Sequence, residues 1–171
     1  ADGFDKWSVE GEAFGKRSVR KIDIPAYQGN VGGPGDRVVN SHASAPGNDV
    51  AAKDSAVGKL SRDFTVVREF IHLWVGGGGH TGKTCVNVVV DGKVVRSVTG
   101  RNTNRMKLEG IDVRDWIGKK ATLEIVDAEK GAWGNIGVGR ITFSDKPHDV
   151  PLETLHDFGT MGLALLGEPA E

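Results

Sequence analysis

Residues 70–100 read FIHLWVGGGGHTGKTCVNVVVDGKVVRSVTG, and the fold turns on what Gly77–Thr84 (GGGHTGKT) is taken to be. The spacing is that of a phosphate loop: Gly, four residues, then Gly-Lys-Thr, preceded by an apolar run. A later run, Leu123–Asp127 (LEIVD), has the form of the carboxylate-bearing strand that would help to hold magnesium. Such a loop works only because its amides and the N-terminus of the following helix point at the phosphates. The residues after Thr84 are Cys-Val-Asn-Val-Val-Val-Asp-Gly. That run is β-branched, alternates as a strand, and turns after seven residues. The chain also lacks the alternating βα units of a nucleotide-binding fold. Gly77–Thr84 is therefore expected to join two strands, its glycines tolerating positive φ. Nucleotide binding through Lys83 is left as the rival reading.

Working outward, Thr84–Asp91 and Lys93–Thr99 flank Asp91-Gly92, the strongest hairpin signal in the sequence. Further strands are expected over residues 7–14, 18–24, 37–41, 57–67, 69–75, 106–113, 120–127 and 135–143. Trp7, Val9 and Phe14 are expected to face a core. Residues 25–36 read as loop, 42–55 as an exposed polar excursion, and 112–118 as one helical turn with Trp116 packed inward. The tail, 152–166, is the one expected helix. About nine strands with little helix predict an all-β chain, an antiparallel jelly-roll-like β-sandwich over 1–146. Residues 147–171 follow as a helical or extended linker or tail, leading to or docking on a neighbouring domain.

Composition agrees. The 171 residues suit one domain. The 25 glycines are about twice the usual share of ~7%, and they punctuate β-branched runs as turns do. A net charge of -1 gives no electrostatic reason to expect nucleic acid as a partner. No apolar run approaches the ~20 residues of a membrane span, and the first residues do not read as a signal peptide, as expected of a segment cut from a longer precursor or of a cytosolic protein. The single cysteine, Cys85, sits in a strand pattern and is expected to be a buried structural thiol. His42, His80, His148, His156 and Cys85 show no zinc spacing.

Several short motifs carry a resemblance: residues 11–15 (GEAFG), 39–41 (VNS), 76–100, 112–113 (DV), 123–127 (LEIVD) and 133–136 (WGNI). Together they resemble an accessory β-sandwich module that accompanies bacterial fructan-hydrolysing enzymes of the levanase and invertase type and other carbohydrate-active proteins. The resemblance spans roughly residues 7–143. It implies a non-catalytic module that binds carbohydrate, or scaffolds a catalytic domain of the same chain, in a secreted or periplasmic glycoside hydrolase. Two positions depart from the family's pattern. Ala132-Trp133-Gly134-Asn135 stands where Gly-Trp-Gly-His is usual, and His42 replaces an aromatic after Asn-Ser. Residues 157–168 (DFGTMGLALLGE) more weakly resemble a segment leading into a β-glucosidase-type catalytic domain.

Sugar recognition needs an aromatic face against ring C–H groups and fixed polar groups for the hydroxyls. Of the four tryptophans, Trp7, Trp74 and Trp116 are expected in packing positions. Trp133, between glycines in a turn, is the one expected to be exposed. The polar candidates for ligand contact are Glu12, Asn40, His80, Arg96, Asp127 and Asn135. Each has a plain structural alternative: Asn40 and Ser41 as caps or backbone bridges, and Arg96 as a cross-strand partner of Asp127 or Glu124. No cofactor is expected. A structural calcium would have to use Glu12, Asp112 or Asp127. No pattern marks a glycosidase carboxylate pair about 5 to 9 Å apart, so no catalytic residue is assigned. The expected partners are a polysaccharide or oligosaccharide and a neighbouring catalytic domain.

Overall fold

A computed structural model describes residues 3–147 and the pair Thr160–Met161. Eleven strands form two antiparallel sheets among these residues. They are β1 (Ser8–Gly11), β2 (Val19–Arg20), β3 (Arg37–Asn40), β4 (Gly58–Thr65), β5 (Phe70–Gly77), β6 (Thr84–Val90), β7 (Lys93–Thr99), β8 (Thr103–Asp112), β9 (Lys120–Asp127), β10 (Ile136–Ser144) and β11 (Thr160–Met161). One sheet runs β1-β4-β9-β6-β7. The other runs β2-β3-β10-β5-β8, with β11 also on β10.

The core is the seam between the sheets. Leu60, Val86, Val88, Leu123 and Ile125 from one sheet are buried with Ile71, Leu73, Val75, Ile136, Val138 and Ile141 from the other. Alternation puts these side chains inward along each strand. In β10 the buried series slips from Val138 to Ile141, because the register against β5 shifts between Gly139 and Ile141. That bulge lets both halves of β10 face the core.

The glycine stretch is the crossing between the sheets. β5 ends at Gly77, and β6 begins at Thr84 in the other sheet with no helix between them. Gly77 has φ of 100°, and a Cβ on Gly78 would run into the Trp133 carbonyl. Glycine is therefore required by the conformation at one position and by the close approach at the next. The Thr84 hydroxyl donates to the Gly78 carbonyl at 2.7 Å. Lys83 pairs with Glu129 at 2.9 Å. The threonine of the motif thus ties the bend to itself, and the lysine ties it to the loop before β10. At the far end, Asp91 (φ 51°) and Gly92 (φ 73°) close the β6–β7 hairpin, the positive φ pair of its tight turn type.

Several expectations need correcting. The strand over 7–14 shrinks to β1, an edge strand whose residues are all exposed. Val9 is 42% exposed, while Trp7 and Phe14 are buried beyond its ends. Residues 42–55 are not a bare excursion. Asn40 caps a short helix α1 (Ser41–Ser44) and Asp49 caps α2 (Val50–Ser55). His42 is buried. These caps satisfy free amides that polarity alone does not reveal. Trp116 is half-buried against the core, and Trp74 packs beside Val31, Val38 and Met106. The expected helix over 152–166 is replaced at Thr160–Met161 by pairing with Ile141 and Thr142 of β10; the rest of that segment lies outside the described residues. Among the described residues no helix is long and apolar enough to cross a membrane.

Candidate functional site

The register collects one end of the sandwich. In one sheet Gly11, Gly58, Asp127 and Thr84 stand side by side. In the other, Asn40 lies opposite Gly137 and Gly77 opposite Ile136 and Thr103. The connections 12–18, 41–57, 78–83, 100–102 and 128–135 consequently emerge together. Six of the seven candidate residues, Glu12, Asn40, His80, Asp127, Trp133 and Asn135, belong to this end.

Trp133 is held there in a left-handed conformation, φ 60°, with 38% of its surface exposed. A bulky residue adopts that backbone only where its surroundings fix it. The surroundings are visible. The Gly134 amide donates to the Gly131 carbonyl at 2.8 Å, and a Cβ on Gly134 would strike the carbonyls of Glu129, Gly131 and Asp54. His80 from the glycine crossing donates Nε2–H to the Ala132 carbonyl at 3.0 Å and turns Nδ1 toward Glu129 at 3.9 Å. Glu129 is held below the usual carboxylate range, chiefly by its hydrogen bond from Lys83. His80 and Trp133 therefore share a braced rim.

Below the rim the polar groups are committed. Asn40 is buried, accepts from the Ala43 amide at 2.9 Å and donates to Gln28 at 3.0 Å. Asn135 is buried and donates to Asn104 at 2.9 Å. The Ser41 hydroxyl accepts from the Ile136 amide at 2.8 Å, so Asn40-Ser41 do act as cap and bridge. Glu12 is exposed, its amide donating to the Val57 carbonyl.

Asp127 is the anomaly of this end. It points inward, is 1% exposed, and among the described residues neither of its oxygens has a hydrogen-bond partner. Burial pushes its carboxyl up to about 6. The approach of the Ser41 hydroxyl and the Glu129 amide offsets part of this, and the charges of Asp54 and Glu129 add to it. A carboxylate there carries a desolvation cost that these approaches, too loose to be hydrogen bonds, offset only in part.

Arg96 is not in the cluster. It lies opposite Val88, with β6 between it and β9. Its guanidinium stacks 4.5 Å over the Trp116 ring and faces Asp115 at 3.8 Å. Cross-strand pairing with Asp127 or Glu124 is thus replaced by a cation–π contact. The calcium set fails in the same way. Asp112 sits at the opposite end of β8, bound to Arg114 at 2.7 Å, far from Glu12 and Asp127 in the register. Among the described residues no three His, Cys, Asp or Glu side chains gather as metal ligands.

Tyr27 and Asp54 belong to this end without any motif in the sequence to mark them. The Tyr27 hydroxyl lies 2.7 Å from His42 Nε2, and His42 Nδ1 lies 2.6 Å from an Asp54 carboxylate oxygen. The residues were in view, but their 12- and 15-residue separations carry no local pattern. At the opposite end an opening of about 490 Å³ is lined by Asp63, Phe64, Asp91, Lys120 and Thr122, among others.

No family model matches the sequence. The putative glycosyl hydrolase ecdE of Aspergillus rugulosus is 27% identical over 140 residues, 81% of this chain and 19% of that protein. The chain thus spans about a fifth of the length of this curated relative. Among solved structures, a cyclase from Fischerella sp. TAU superposes with a TM-score of 0.50 at 10% identity, covering 80% of this chain and 82% of that one. This is a likeness of fold. A family 61 carbohydrate-binding module solved with β-1,4-galactotriose aligns with a TM-score of 0.46 at 19% identity, covering 82% of this chain and 86% of that one.

Proposed function

We propose that this chain is a carbohydrate-binding or accessory module of a larger glycoside hydrolase, not itself catalytic. The observation that carries the proposal is the braced, exposed Trp133 at the end where five connections meet. A fixed aromatic face beside a fixed histidine is what a pyranose or furanose ring needs: C–H groups stack on the ring and hydroxyls meet the polar neighbour. Trp133 and His80 would touch the ligand, Glu12 would reach it from the rim, and Asn40, Asp127 and Asn135 would hold the connections in place. Arg96 has no part in this site. The likeness to a putative glycosyl hydrolase over most of the chain supports the link to a larger enzyme. The finer form of the reading is a bacterial, secreted or periplasmic enzyme acting on fructan.

Affinity electrophoresis through levan and mixed-linkage β-glucan gels tests the reading. The protein is expected to be retarded by at least one, and Trp133→Ala to weaken that retardation about tenfold or more at unchanged thermal stability. Wild-type mobility unchanged on both polysaccharides would sink the proposal.

A further inference from the structure

Tyr27 stands on a tight turn with 60% of its surface exposed. The turn is fixed on both sides. The Gln28 amide donates to Pro25 and the Gly29 amide to Ala26, while the Gln28 side chain accepts from Asn40, which caps α1. The phenol does not point freely into water: it is spent on His42, a buried imidazole that also holds Asp54. Lys53 ties the turn after α1 by donating to the Ala45 carbonyl at 3.0 Å.

The chain of bonds has one direction. An ionised carboxylate only accepts, so Asp54 fixes the proton on His42 Nδ1. With the ring neutral, Nε2 is an acceptor and the Tyr27 O–H donates to it. The phenol oxygen is left with its lone pairs outward. Tyr27 therefore offers an apolar ring face and an oxygen committed to accept, at the same end of the sandwich as Trp133. Such a residue is organised before any ligand arrives, which lowers the ordering cost of binding.

We infer that Tyr27 is a second ligand-contacting residue, and that His42 and Asp54 are its positioning residues, setting its oxygen to accept a hydrogen bond from a carbohydrate hydroxyl. This rests on the carbohydrate-binding reading and adds to it a specificity element: the hydroxyl met by Tyr27 must donate. Methylation of that hydroxyl would abolish the contact.

Tyr27→Phe and Tyr27→Ala, run on levan and mixed-linkage β-glucan gels beside the wild type, provide the test. Tyr27→Phe keeps the ring and removes the oxygen, and is expected to weaken retardation about three- to tenfold on the gel that binds the wild type. Tyr27→Ala is expected to weaken it further. His42→Gln, if it folds, should lose no more in the Tyr27→Phe background than Tyr27→Phe loses alone. Nitrogen-15 NMR of the His42 imidazole, which needs no ligand, is expected to show Nδ1–H with Nε2 accepting. Unchanged retardation of Tyr27→Phe with a wild type that binds overturns the role of Tyr27 and leaves the carbohydrate reading standing. An Nε2–H tautomer overturns the relay. A wild type bound by neither polysaccharide overturns the carbohydrate reading and this inference with it.

Discussion

Replacing Asp127 with asparagine removes a charge from a site that gives it no hydrogen bond while keeping the side chain's shape. The effect can be worked from its titration. The carboxyl ionises near 3.8 in an unperturbed chain and near 6 in the folded protein, because burial disfavours the charge. Between those pH values the folded state keeps a proton that the unfolded chain has lost. Stability from this group is therefore intact below pH 3.8, falls as pH rises through the window, and is fully lost above about 6. At about 1.4 kcal/mol per pH unit, the cost at pH 7 is about 3 kcal/mol. Asp23, Asp112 and Glu129 are shifted downward by their basic partners, and their contributions fade instead as pH falls. They are common to both proteins, so the difference between wild type and Asp127→Asn isolates Asp127. Urea denaturation from pH 3.5 to 8 is expected to show no gain for Asp127→Asn at the acid limit and a gain approaching ~3 kcal/mol above pH 6.5. A variant less stable than wild type at pH 7 would refute the reasoning. So would a calcium-dependent stabilisation of wild type that Asp127→Asn loses, since a cation would then be balancing the carboxylate.

Other consequences are simpler. Asn40→Ala removes the cap of α1 and the partner of buried Gln28, and is expected to cost about 1–2 kcal/mol by chemical denaturation. Gly78→Ala forces a methyl against the Trp133 carbonyl; a loss of more than about 2 kcal/mol and a changed tryptophan emission spectrum are expected. Lys83→Ala breaks only a largely exposed pair with Glu129, so the change by denaturation is expected to stay below about 1 kcal/mol. Isothermal titration of wild type with MgATP is expected to give no heat of binding, and Lys83-dependent binding would restore the phosphate-loop reading.

The sheet pattern was legible because it is local. The β-branched run after Thr84 and the Asp91-Gly92 turn carried enough information to reject a nucleotide loop whose consensus spacing was complete. Trp133 was legible too, since glycines on either side of a turn aromatic expose it. Exposure at the edge was not legible. Val9 alternates like a core residue, but β1 pairs on one side only and has nothing packed on that face. Nor was the polarity of the interior. Asp127 occupies an inward position because the alternation Ala121, Leu123, Ile125 continues into it, and nothing in LEIVD reveals that its oxygens lack partners. Arg96 and Asp112 show the remaining gap. Their charges are plain in the sequence, but the strand order decides which end of the sandwich and which partners each residue reaches, and strand order is a long-range property.

Carbohydrate is expected to bind at the end of the sandwich that carries Trp133. Amide chemical shifts followed during titration with fructo-oligosaccharides and a mixed-linkage β-glucan oligomer test it most directly. The predicted result is saturable shifts confined to residues 78–83 and 128–135 together with Glu12 and Tyr27. Shifts gathered instead around Asp63, Lys120 and Thr122 at the opposite opening, or no shifts with either sugar, would contradict it.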